Sequence, residues 1–274
     1  MSAVRRPSVR RWILEIFMIL LALTWIYPAL FVLNNAVKPE PDIKLHPISL
    51  PTTLTMDNFI KAWVEMRFPR ALLNTAIITI FGVAGIILVS SMAAWKLART
   101  FGRLSWLLYL VFAFAMVIPF QIIMVPIVGL STDLKIGTVW GIIPMYWGLG
   151  APLAVFMYHG FVKGVPRELE EAAAIDGGGQ AFIFFRVVFP LMKPITATIV
   201  ILDALWLWND FLLPLIVVKA GTLQLEQLHF YGMFLREYGP SAASLILSAT
   251  PIIILYLLLQ RYIIKGIAAG AVKG

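Results

Sequence analysis

The sequence predicts an all-α membrane protein with six transmembrane helices and both termini in the cytoplasm. Three observations carry this. Of 274 residues, 61% are hydrophobic and only 13% charged, and the mean hydropathy is +0.89. Soluble domains carry about 25% charged residues, so this chain has too little charge to cover a water-facing surface. Six apolar runs each supply the roughly 20 helical residues that a hydrocarbon core about 30 Å thick requires. Lys and Arg are spread unevenly over the connections between those runs. The same composition excludes disorder. The absence of Cys excludes disulfides, thiolate nucleophiles and Cys-ligated metals.

The runs are Trp12–Leu33, Ala71–Trp95, Leu104–Leu130, Val139–Val162, Pro194–Val218 and Ala242–Ile264. A helix that is apolar all round lies buried in protein or lipid, and six of them exceed what 274 residues can bury in water. The alternation of a membrane barrel strand is missing. The first run follows Arg5, Arg6, Arg10 and Arg11, as a signal peptide does. A signal core stops after about 7–15 residues, whereas this one continues through Trp25, Tyr27, Pro28 and Phe31, so an uncleaved first helix is expected. Pro119, Pro126, Pro144, Pro152, Pro214 and Pro251 fall inside the runs, where each removes a backbone donor and can kink its helix. Gating hinges and static packing are both open readings of them. Gly137-x-x-x-Gly141 is a weak helix-contact motif.

Six spans put both termini on one side. That side collects fourteen Lys and Arg, from the N-terminus, the 96–103 loop, the 163–193 loop and the tail with Arg261, Lys265 and Lys273. The opposite side carries eight, among them Lys38, Lys61, Lys219 and Arg236. The excess places the termini in the cytoplasm and explains the net charge of +8 without nucleic acid. The expected organisation is a cytoplasmic N-terminus at 1–11, a transmembrane domain at 12–265 and a cytoplasmic tail at 266–274.

Outside the membrane, 34–70 is broken by Pro39, Pro41, Pro47 and Pro51, with a short helix expected at Asp57–Glu65. A second external loop, 219–240, is apolar through Leu223, Leu225, Leu228, Phe230, Tyr231 and Phe234. It reads either as a folded cap or as a docking surface. The longest cytoplasmic loop, 163–193, holds Pro166, suited to a first helical position. Glu168, Glu170 and Glu171 follow where carboxylates favour the positive end of the helix dipole. Ala172, Ala173 and Ala174 are strong helix formers, and Gly177, Gly178 and Gly179 stop the helix. A second helix is expected from Gln180 to Pro190. The alanines let another protein approach closely and the carboxylates can pair with its arginines. A docking knob and a plain surface hairpin are both open on these grounds.

This loop resembles the EAA loop of ABC importer permeases. Glu171-Ala172-Ala173 is followed at the family's spacing by Gly177 and by Val187-x-Phe189-Pro190. The C-terminal stretch Gln260–Gly274, the Trp208–Leu215 segment WNDFLLPL, and the short segments Val37–Pro39 and Leu73–Thr75 are similar to the maltose-type carbohydrate branch. The resemblance spans essentially the whole chain. It implies a prokaryotic inner-membrane permease subunit importing a carbohydrate of oligosaccharide type. Its implied partners are a second homologous permease, two copies of a cytoplasmic ABC ATPase, and an extracytoplasmic sugar-binding protein. ATP and Mg would sit on the ATPase, with no cofactor in this chain. The implied ATPase-coupling set is Glu170, Glu171, Ala172, Ala173, Asp176 and Gly177. In it Glu171 is the ion-pairing residue, Ala172 and Ala173 fit a cleft, and Gly177 makes the bend. The chain has no G-x-x-x-x-G-K-[ST] loop and no Gly-Lys pair, so the usual phosphate cradle is missing.

Asp203, Trp206, Asn209 and Asp210 form a candidate substrate pathway in the fifth run. A central Asp costs about 2.5–3.5 kcal/mol on insertion scales, so both acids should face protein or water. Seven residues apart, they are expected to share one helical face with Trp206. Sugar contacts and interhelical hydrogen bonds are both open roles. No HExxH, paired catalytic carboxylates or Ser–His–Asp set points to an enzyme or a metal. Two other functions stay open. One is an ion-coupled transporter using Asp203 and Asp210, although no inverted repeat relates 1–137 to 138–274. The other is a related permease for polyols or glycerol phosphate esters.

Overall fold

The computed structural model describes residues 9–218, 221–230 and 237–271. Arg5, Arg6, Lys219, Tyr231, Phe234, Arg236 and Lys273 lie outside the described residues, as do the side chains of Arg11, Arg261 and Lys265. Every described element is helical. In chain order they are α1 (Val9–Ala36), α2 (Glu40–Leu45), α3 (Asp57–Glu65), α4 (Phe68–Arg99), α5 (Arg103–Ala115), α6 (Phe120–Asp133) and α7 (Val139–Lys163). Then come α8 (Glu168–Ile175), α9 (Gln180–Phe182), a π-helical segment (Ile183–Val188), α10 (Phe189–Leu191), α11 (Lys193–Asn209) and α12 (Leu212–Val217). The last are α13 (Leu223–Glu226), a 3₁₀ turn (Gln227–Phe230) and α14 (Tyr238–Ala271).

Four of these are long and apolar enough to cross a membrane: Trp12–Ala36 in α1, α4, α7, and Tyr238–Leu258 in α14. Two bent pairs, α5 with α6 at 101° and Gln180–Leu191 with α11 at 77°, raise the number to six if each is one span. The third run is therefore not the continuous helix expected at Leu104–Leu130. The 77° bend falls at Met192, before the fifth run, and that run, expected as one helix over Pro194–Val218, breaks at Asp210–Phe211 between α11 and α12. Both breaks have one cause. A proline clashes with the carbonyl four residues before it and gives it no hydrogen bond. Ala115, where α5 ends, lies four before Pro119. Asp210, which leaves α11 at φ −70° and ψ 126°, lies four before Pro214. Pro28, Pro126, Pro144, Pro152 and Pro251 remain inside helices.

The chain divides into two compact units, Met1–Phe68 with Gln227–Ala249, and Pro69–Glu226 with Thr250–Gly274. In the first, α3 occupies the expected Asp57–Glu65. The proline-broken segment is ordered by buried polar groups. Lys38 is fully buried, and its ammonium donates to the carbonyls of His46 at 3.0 Å and of Ser49. Asn58 Nδ2 donates to the carbonyls of Ala36 at 3.0 Å and Lys38 at 2.7 Å. Glu40 accepts the backbone N–H groups of Tyr238 and Gly239, capping the start of α14. Lys61 pairs with Glu237, and that hydrogen bond holds the ammonium pKa above its usual value. From Trp12 to Leu33 the apolar side chains of α1 stay largely exposed, a surface that suits lipid or an apolar partner and not water.

The second unit is built on α4, α7 and α11. Ile78, Ile86, Tyr146, Tyr158, Phe184 and Leu207 lead its core. Glycine lets α7 approach α4: a Cβ on Gly85 would lie 1.9 Å from Trp147 Nε1, which donates to the carbonyl of Phe81 at 3.0 Å. Gly137 and Gly141 serve otherwise than as a helix-contact motif. They pack on the backbone oxygens of Val217 and Ile136 at the entry to α7. Of the 219–240 loop, Leu223 and Phe230 are buried and Leu228 is exposed.

Gly85→Ala should displace Trp147 and cost about 1–3 kcal/mol, the usual penalty of overpacking. Gly129→Ala, where a Cβ meets nothing within 4 Å, should leave stability unchanged or higher. Thermal denaturation of the detergent-solubilised variants checks the contrast.

Candidate functional site

Two places collect the residues singled out from the sequence, both in the second unit. The first is α8. It begins after Arg167, whose carbonyl accepts the N–H groups of Glu170 at 2.9 Å and Glu171 at 3.0 Å. Pro166 stands before that cap and outside the helix, a shift from its expected first helical position. The C-terminus is closed twice over. Gly178 N–H bonds Ala173 O at 2.9 Å and Gly177 N–H bonds Ala174 O at 3.0 Å. This pairing needs a left-handed residue after the cap Asp176, and Gly177 supplies it with φ +87°.

The helix presents two different sides. Glu168, Leu169, Glu171, Ala172, Ile175 and Asp176 are exposed, Ile175 at 86%. Glu170 and Ala173, three apart, turn inward. Ala173 packs on the core. Glu170 Oε1 takes Arg99 Nε at 2.8 Å and Nη2 at 2.7 Å, and its Oε2 takes Trp95 Nε1 at 2.9 Å. Arg99 Nη2 also donates to the carbonyl of Val165 at 2.8 Å. Arg167 lies over the Phe101 ring at 4.5 Å. Trp95 in turn meets Phe184 of the π-helical segment, with ring centroids 5.3 Å apart. The six residues expected to act as one set are thus divided. Helical period sends Glu170 and Ala173 toward their own chain while Glu171, Ala172 and Asp176 face out.

The second place is a pocket of about 560 Å³ lined by residues of α5 to α7, α11 and α12, among them Met116, Leu153, Asp203, Trp206 and Asp210. Asn209 does not line it, and its amide donates to the carbonyl of Leu205 at 2.8 Å. Asp210 has left the helix, so its expected place on one helical face with Asp203 and Trp206 is corrected. Its Oδ2 accepts the Tyr146 hydroxyl at 2.7 Å, and its Oδ1 accepts the N–H of Leu212 at 3.1 Å, holding the start of α12. Tyr146 also meets Trp206 edge to face at 5.6 Å. Asp203 is 3% exposed, and its Oδ2 has no hydrogen-bond partner among the described residues. The pocket thus offers a carboxylate acceptor beside an indole face, with no Lys or Arg in its lining.

Tyr146, Trp95, Arg99 and Lys38 escaped sequence reading. Trp95 and Arg99 carried the one available signal, an i, i+4 spacing at the end of an apolar run. Tyr146→Phe and Asp210→Ala each remove one end of the same hydrogen bond, so their effects should be non-additive by about 0.5–3 kcal/mol. A double-mutant cycle on unfolding in detergent measures it.

Comparison with known proteins fits this architecture. Residues 85–269 match the family model described as binding-protein-dependent transport system inner membrane component. The Probable starch degradation products transport system permease protein AmyC of Thermoanaerobacterium thermosulfurigenes is 38% identical, over 98% of this chain and 99% of its own length. The multiple sugar-binding transport system permease protein MsmG of Streptococcus mutans is 35% identical, over 90% and 91%. The melibiose/raffinose/stachyose import permease protein MelC of Bacillus subtilis is 34% identical over the full length of both. A chain in the crystal structure of a bacterial ABC transporter involved in import of the acidic polysaccharide alginate has the same fold. Its TM-score is 0.82 at 21% identity, covering 94% of this chain and 99% of that one. By the family match and by full-length relatives above 30% identity, the chain belongs to the inner membrane components of binding-protein-dependent transport systems.

Proposed function

We propose that the chain is one permease subunit of an ATP-driven importer of carbohydrate, of oligosaccharide type. In this reading the α5–α6 pair is the third span, α11 with α12 the fifth, and 12–265 the transmembrane domain between cytoplasmic ends at 1–11 and 266–274. A second homologous permease completes the pathway, and an extracytoplasmic binding protein delivers the sugar. Two ABC ATPase subunits carry ATP and Mg below, and this subunit has no ATPase site of its own. The observation that carries the reading is α8. It is a short helix locked at both ends, with an exposed face of Glu168, Glu171, Ala172, Ile175 and Asp176. Such a face suits a cleft with an apolar floor and arginine at its rim. Glu171 is the ion-pairing residue in this scheme, Ala172 seats in the cleft, and Gly177 sets the bend.

The pocket supports the cargo class. Rings stack on the C–H face of a sugar and carboxylates accept its hydroxyls, and Trp206 and Asp203 offer both at once. Relatives that carry starch degradation products and melibiose, raffinose or stachyose by their names support the same class. The unpartnered Asp203 Oδ2 also favours a second reading, an ion-coupled carrier. The two separate in one experiment. With its partner subunits in liposomes, the chain should drive uptake on ATP and none on an ion gradient alone. Glu171→Arg should lower uptake by roughly tenfold or more, as expected for reversing a docked charge, while ATP hydrolysis and membrane insertion persist. Uphill uptake by the chain alone, or unchanged coupling in the variant, would overturn the proposal.

A further inference from the structure

The geometry points to Arg99 as a positioning residue that joins α8 to α4, so that the two helices move as one body. The inference rests on the permease reading for its purpose but not for its geometry. α8 is entered through the irregular Gly164–Arg167 and left through the glycine-rich Asp176–Gly179. Alone, those connections would let the helix pivot. The carboxylate of Glu170 removes that freedom. It is held on one oxygen by the Arg99 guanidinium and on the other by Trp95, both on α4 and four residues apart. The paired side chains are only 13% and 14% exposed, so the bond is neither diluted by water nor screened by salt as a surface pair is. Arg99 also takes the Val165 carbonyl at 2.8 Å, which fixes the chain just before α8. One planar fork thus ties α4 to both the helix and its leading turn, which a lysine cannot do in the same geometry.

The far end of α4 is tied as well. Asn74 Nδ2 donates to the carbonyl of Gly221 at 2.8 Å, and Thr75 Oγ1 accepts the N–H of Leu223 at 3.0 Å. These bonds hold the chain that follows α12, the helix whose start is set by pocket-lining Asp210. From Asn74 to Arg99 an unbroken helix covers about 38 Å. Displacement imposed on the exposed face of α8 therefore reaches the pocket side through α4, with Arg99 as the first link.

The test exploits the absence of Cys. Spin labels at Lys96→Cys and Ala174→Cys, both exposed positions outside the proposed docking face, report the α4 to α8 distance in the assembled transporter. Arg99→Gln should widen that distance distribution about twofold, since breaking a buried pair leaves the partner charge uncompensated. The exchange Arg99→Glu with Glu170→Arg should narrow it again. In the same preparation, uptake per ATP hydrolysed should fall about tenfold in Arg99→Gln, with the ATPase still co-purifying. An unchanged width, or a widened one with undiminished uptake per ATP, overturns the inference. The width is read without nucleotide or sugar, so it decides the tether by itself. An unaltered complex with no ATP-driven uptake would instead sink the permease reading.

Discussion

Hydrocarbon offers no hydrogen bonds, and the architecture of this chain follows from how its backbone is satisfied without water. A continuous helix solves the problem internally, and α1, α4, α7 and α14 take that course. The harder cases are the two places where proline prevents continuation. At the Pro214 break one side chain ties the start of the next helix to a neighbour. Asp210 accepts the N–H of Leu212 with one oxygen and the Tyr146 hydroxyl with the other. A residue that looks like a ligand in the sequence is committed to repairing a broken helix. Asp203, without that duty, lines the pocket and keeps one buried oxygen unpaired among the described residues.

Three segments singled out in the sequence share a physical role. In Val37–Pro39, Lys38 gathers the carbonyls of the proline-rich segment. In Leu73–Thr75, Asn74 and Thr75 bind the chain around Gly221 and Leu223. In Trp208–Leu215, Asp210 joins α7 to the start of α12. Each is a polar side chain that binds backbone or a neighbouring helix where regular structure stops. Leaving such a buried group unpaired costs about 1–3 kcal/mol, so the tolerance for substitution there is narrow. α4 stands among these ties as the longest uninterrupted element of its unit, with Gly85 admitting Trp147 midway.

Much of the fold was legible. Apolar runs located the long helices to within a few residues, and the fourth run at Val139–Val162 matches α7 almost end for end. Asp57–Glu65 and the start of the second loop helix at Gln180 were also readable, because propensity and glycine stops act over a few residues. The broken third and fifth runs were not. Of the six prolines expected inside the runs, Pro126, Pro144, Pro152 and Pro251 stay inside helices and only Pro119 and Pro214 stand at breaks. Whether a proline kinks or breaks its helix depends on the packing around it, which a one-dimensional pattern does not contain.

Composition and apolar length by themselves determined a helical membrane protein, and the Glu171-Ala172-Ala173 to Gly177 stretch a capped elbow, because each is a local or one-dimensional property; the permease reading of that elbow came from its resemblance to ABC importer permeases. Tertiary structure alone decided which residues of that elbow face outward. It turned Glu170 to Arg99 and Trp95, left Glu171 facing out, and spent Asp210 on Tyr146 while sparing Asp203. The reason is that a carboxylate's role is set by which donor lies within about 3 Å of it. Here those donors come from residues 64 to 75 positions away in the chain.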